Sequence, residues 1–158
     1  MRCRMRHVLV RAVLALLLSS TALMPAAMAQ STGGNFSLRG NMPMSCAISV
    51  QDNNVIWNLT SGEGSKTVGS VTESCNAGNG YSISLASANG GKMKSGANEI
   101  AYAVDYDSNA GNLTSQMVVQ RATAQFGKKS DLKVTVPISN QHVAGDYADT
   151  ITVTIAAR

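Results

Sequence analysis

From Phe36 onward the even positions read Phe36, Leu38, Gly40, Met42, Met44, Cys46, Ile48 and Val50, with mostly polar residues between them. A period of two marks a strand with one buried face. The pattern returns along the chain. Val55, Ile56 and Trp57 with Leu59 read as a short strand. Residues 67–75 place Val71 and Cys75 on one face, and Tyr81, Ile83 and Leu85 alternate with serines. Ile100, Tyr102, Val104 and Tyr106 form one run over 99–106, and residues 117–119 a short one. Leu132, Val134, Val136 and Ile138 form another, with Pro137 marking an edge or a strand end. Turn residues separate these runs at 52–54, 61–65, 76–80, 89–91, 107–112 and 142–145. No helical period of useful length appears. About seven strands at short spacing predict an all-β, immunoglobulin-like sandwich.

The final run carries a consequence for function. Ile151, Val153 and Ile155 alternate with Thr150, Thr152 and Thr154, and only Ala156, Ala157 and Arg158 follow. The expectation is an incomplete sandwich with an open edge and an exposed slot, which invites pairing with another chain. Assembly therefore ranks ahead of catalysis. Tyr147 shares parity with Ile151, Val153 and Ile155. It is expected to be structural, its ring at the end of the sandwich and its hydroxyl on upstream backbone, as in a tyrosine corner.

The first 29 residues read as a signal peptide. Arg2, Arg4, Arg6 and Arg11 make a basic start, residues 12–18 are apolar, and Ala27-Met28-Ala29 is an A-x-A site. Cleavage is expected between Ala29 and Gln30. Ser19, Ser20 and Pro25 interrupt the apolar run, which argues against an uncleaved anchor. Removal leaves residues 30–158, enough for one domain. It also takes four arginines out of the 13 basic residues, leaving nine against nine acidic, so the formal charge falls from +4 to zero. No nucleic-acid partner and no anionic membrane surface are implied. Lys128-Lys129 reads as a solvated turn.

Cys3 leaves with the signal, and Cys46 and Cys75 remain, an even pair in an oxidising compartment. A disulfide is expected, worth roughly 3–4 kcal/mol on the loop-entropy account. Free or metal-binding thiols would need partners, and the sequence has no C-x-x-C and one mature histidine, His142. Met42 and Met44 offer soft ligands to Cu(I), with His142 as a third, but they sit on the apolar parity and read as core residues. Asp105 and Asp107 stand ahead of a turn and are assigned to it. No G-x-S-x-G and no phosphate-binding glycine loop with a lysine is present. No catalytic residue, cofactor or metal site is assigned. Asn35, Asn58 and Asn112 begin N-x-[ST] sequons and receive no function.

Gly33-Gly34-Asn35-Phe36-Ser37-Leu38-Arg39-Gly40, followed by Ser45-Cys46, resembles the start of chaperone–usher pilins, and Ser74-Cys75 falls where that family's second cysteine closes a bridge. Residues 75–85, 100–104 and above all 144–155 resemble the spore coat protein U branch, allied to archaic pili. The resemblance implies a structural subunit of a pilus, fimbria or coat. It implies a sandwich lacking its last strand, a periplasmic chaperone and an outer-membrane usher as partners, and neighbouring subunits that donate the missing strand in a homopolymer or mixed fibre at the cell surface. The donor would lie within 30–39, with Phe36 and Leu38 filling pockets and Gly34 a flat spot. The acceptor groove would include Ile48, Val50, Ile151, Val153 and Ile155. The rival reading is a self-contained secreted binding module, an adhesin or carbohydrate binder using Trp57, Tyr102 and Tyr106. These aromatics are more often core.

Overall fold

The computed structural model describes residues 32–60, 63–139 and 141–158. The expected signal segment and its cleavage site, Ala29 and Gln30, lie outside them. Two units divide the chain, Met1–Arg39 and Gly40–Arg158. In the first, residues 32–39 carry no regular secondary structure and are exposed. The second is all-β.

The described residues of this unit form ten strands: β1 (Cys46–Asp52), β2 (Glu63–Cys75), β3 (Tyr81–Ser87), β4 (Lys92–Ser95), β5 (Asn98–Ala101), β6 (Ala103–Tyr106), β7 (Asn109–Gly111), β8 (Met117–Arg121), β9 (Gln125–Val136) and β10 (Ile151–Ala157). They form a five-stranded sheet in the order β1-β2-β9-β6-β7, a three-stranded sheet β10-β3-β8, and the hairpin β4-β5. Every pairing is antiparallel. Val71, Val104, Val134 and Val136 from the larger sheet and Tyr81, Ile83, Leu85 and Val119 from the smaller one bury into a single cluster. This is the arrangement of a β-sandwich, with inward rows of both sheets meeting in one core.

Three strands were not expected: β4, the second one made by division of the 99–106 run, and β7. The run over 99–106 divides at Tyr102, whose amide donates to the Gly91 carbonyl at 3.1 Å. β5 before it pairs with β4, and β6 after it pairs with β9 and β7. Asp107 and Ser108 both take positive φ (50° and 65°), the geometry of a type I′ hairpin turn, so β7 follows at once where a longer turn was expected.

Four expectations are corrected. Residues 55–59 form no strand, because no described residue pairs with them. Met42 and Met44, expected in the core, are 81% and 66% exposed and precede β1. Lys128 and Lys129 stand inside β9 opposite Glu73 and Thr72, not in a turn. Ile138 is exposed, since β9 ends at Val136 and Pro137 has no amide with which to continue the ladder.

Candidate functional site: a seam between two edge strands

β1 closes one side of the larger sheet and β10 one side of the smaller sheet. Among the described residues each pairs with a single neighbour, β1 with β2 and β10 with β3. The two edges run beside one another, with Cα atoms within 8 Å, yet no ladder joins them. Two rows of backbone donors and acceptors therefore face one seam.

Burial along the strands shows what the missing pairing does. On β3, Tyr81, Ile83 and Leu85 are fully buried. Their ladder partners on β10 are Ala157, Ile155 and Val153, on the same face. All three are only half-buried, as is Ile151. β3 has a strand on each side, whereas β10 has one. The larger sheet repeats the contrast. Val71 on β2 is 1% exposed, while Val50, its partner on β1, is 57% exposed. Ile48, two residues back, is half-buried.

A cleft of about 650 Å³ opens from this seam into the sandwich. Val50, Ile151 and Val153 line its mouth, and Leu132 and Val134 lie among its deeper walls, with Trp57 and Tyr147 also lining it. Of the five expected groove residues, three line the cleft. Ile48 and Ile155 stand farther along the same two strands. The expected groove did not include Met93 and Tyr102, which also line it; the alternation through Tyr102 signalled burial but not which neighbours it meets.

The start of β10 is held by Asp149. Its carboxylate accepts the hydroxyls of Tyr102 at 2.6 Å and Ser87 at 2.5 Å, and the amides of Thr150 at 2.7 Å and Asn89 at 3.1 Å. Burial pushes the Asp149 pKa up, but these bonds outweigh it and hold the group below its ordinary value. Tyr147 donates its hydroxyl to the Val143 carbonyl at 2.7 Å, fixing the turn that leads into β10. At the other end of the seam Cys46 and Cys75, register partners on β1 and β2, form a disulfide.

A second cleft, of about 660 Å³, lies at the Tyr147 end. Ile56, Trp57, Leu59, His142, Val143 and Tyr147 line it, and it shares Ile56, Trp57 and Tyr147 with the first. Ile56 and Val143 are exposed there. The Lys66 ammonium sits 5.5 Å from the centre of the Trp57 ring. Tyr102 and Tyr106 are buried, so they do not join Trp57 in an exposed aromatic patch.

A buried polar node also escaped sequence reasoning. Glu73 is fully buried on β2 and accepts from Tyr81, Tyr106 and Arg121. Arg121 reaches on to Asp107, which also binds Lys128. The available signal was parity: Glu73 shares the inward face of Val71 and Cys75. The node ties β2, β3, β6 and β8 together and reads as structural.

Gly34, Phe36 and Leu38, the expected donor residues, are exposed, Phe36 and Leu38 at 97% and 95%. They belong to a stretch without strand pairing. The described residues thus contain both an exposed apolar pair and an open seam.

A family model for the Spore Coat Protein U domain matches residues 29–154. No curated protein matches the chain.

Proposed function

The chain belongs to the Spore Coat Protein U domain family, and from that premise we propose that it is a structural subunit of an exported surface fibre or coat, assembled by strand exchange. The observation that carries this reading is the unfilled seam between β1 and β10. Neighbouring strands lie about 4.8 Å apart, and an extended segment inserted there can bond to both edges. Its alternate side chains would enter the cleft at Val50, Ile151 and Val153 and complete the burial that β3 already has.

The donor in this reading is residues 30–39 of the next subunit, with Phe36 and Leu38 as the inserted side chains and Gly34 where the strand must lie flat. A periplasmic chaperone covers the seam before assembly, and an outer-membrane usher exchanges that cover for the donor. A strand bonded to both edges would hold them about 9.6 Å apart, twice the inter-strand spacing. β1 and β10 come within 8 Å in places, so insertion must widen the seam there. Family membership supports a surface location and a structural, non-catalytic role. The resulting interface closes an apolar core and should release slowly.

The test is a gel of purified exported protein, run in detergent with and without boiling. A ladder that collapses to one band on heating is the expected result. Deleting residues 30–39 should leave a folded domain that binds chaperone but forms no ladder. Monomer alone from well-folded, unboiled full chain would overturn the reading.

A further inference from the structure

Two exposed apolar surfaces lie at opposite ends of the sandwich. At the Cys46 end are Met42 and Met44. They do not dangle: Asn76 receives the Ser45 amide on Oδ1 at 2.7 Å and donates through Nδ2 to the Pro43 carbonyl at 2.9 Å, which fastens this stretch beside the 76–80 turn. At the far end of β1 and the start of β10 is the second cleft, with Ile56 and Val143 exposed on its wall. The seven residues of β1 separate the two ends by roughly 20 Å. One copy therefore cannot cover its own cleft with its own methionines, but two copies placed head to tail can.

We infer that Met42 and Met44 of one subunit dock in the cleft walled by Ile56, Trp57, Val143 and Tyr147 of the neighbour that receives its donor strand. The inference rests on the strand-exchange reading and adds to it a contact between the bodies of successive subunits. Chain length supports it. Only Gly40 and Asn41 separate Arg39, the end of the donor segment, from Met42, a reach of about 10 Å at full extension. The seam that would hold the donor runs into the second cleft through shared Ile56, Trp57 and Tyr147. Met42 then arrives at the cleft if the donor runs in the direction of β1, so that Arg39 leaves at the Asp52 end. Methionine suits the contact, because its unbranched, polarisable side chain adapts to an irregular apolar wall. The pairing of two different patches is heterologous, and repeated without closure it makes an open filament.

The experiment uses the full exported chain carrying Met42→Cys and Ile56→Cys, assembled and treated with a mild oxidant. Boiled without reductant, its ladder should persist; with reductant it should collapse, and either single substitution should leave no boil-resistant ladder. An unboiled ladder that collapses on boiling without reductant in the double variant would overturn this contact and leave strand exchange standing. Absence of any ladder from the unsubstituted chain would remove both. A second variant, Met42→Lys with Met44→Lys, changes only exposed side chains and should fold unaltered. Its multimers should release subunits about tenfold faster or more, as expected for losing part of two buried methionines. An unchanged release rate would count against the contact.

Discussion

Glu73 and Arg121 form a two-pronged ion pair at the edge of the core. The guanidinium donates from Nε to Oε2 at 2.9 Å and from Nη2 to Oε1 at 2.7 Å, with the glutamate fully buried and the arginine nearly so. The pair joins β2 of one sheet to β8 of the other, so it fixes how the two layers sit. Breaking a buried pair leaves an uncompensated charge, which costs about 3–5 kcal/mol. Arg121→Leu should lower the urea-unfolding free energy by that order. A loss below about 1 kcal/mol would show that Glu73 is satisfied without it.

Stability should fall at both ends of the pH scale through the same node. Burial pushes the Glu73 pKa up, but bonds from Arg121, Tyr106 and Tyr81 outweigh it and hold it below the ordinary 4.5. A carboxylate depressed in the folded state stabilises fully above its unfolded pKa. That contribution fades as pH drops below about 4.5 toward the lower folded value. Tyr81 works in the opposite sense. Burial, then its bond to Glu73, pushes its hydroxyl up to about 12 from 10.0, so its contribution is intact below pH 10 and is lost between 10 and 12. Urea midpoints measured across pH should show both limbs. Glu73→Gln should flatten the acid limb, and Tyr81→Phe the alkaline one. An acid limb as steep in Glu73→Gln as in the parent would assign it to other carboxylates such as Asp107 and Asp149.

The strands of the core were legible because their alternation matches their burial. Tyr81, Ile83 and Leu85 read as an inward row and are one. The same rule failed at Met42 and Met44, which alternate like strand residues but have no partner strand among the described residues to turn parity into burial. Periodicity describes a face, and only pairing decides whether that face is covered. It also could not tell that the 99–106 run would switch sheets at Tyr102, since that depends on Asp149 and Gly91, distant in sequence or across a turn. The apolar members of the seam were readable from β1 and β10. The second cleft was not, because Trp57 and Tyr147 meet only through tertiary packing.

The disulfide anchors the exposed edge of the larger sheet. Cys46 is the first residue of β1, and among the described residues β1 has a neighbour on one side only. The bond spans 29 residues, a loop worth about 3–4 kcal/mol in chain entropy. Cys46→Ser paired with Cys75→Ser should cost that order in urea-unfolding free energy, reduce exported yield, and raise amide exchange first along β1. Uniform exchange across both sheets, with the same loss, would mean that the bridge stabilises the whole domain and not its edge.

Phe36→Asp separates folding from assembly. Phe36 is 97% exposed, so it contributes little to the stability of the single chain, and the substitution should leave the urea midpoint of the monomer unchanged within about 0.5 kcal/mol. In a strand inserted at the seam, the same side chain would enter an apolar cleft whose walls include Val50, Ile151 and Leu132. An aspartate there would have to be buried without a partner or stay outside and forfeit the register. The boil-sensitive ladder should therefore be lost or shortened to dimers, while Ser37→Asp, on the opposite parity, should leave it intact. Loss of the ladder in both variants would mean that the segment acts through its charge. Loss in Ser37→Asp alone would reverse the face assigned to the donor.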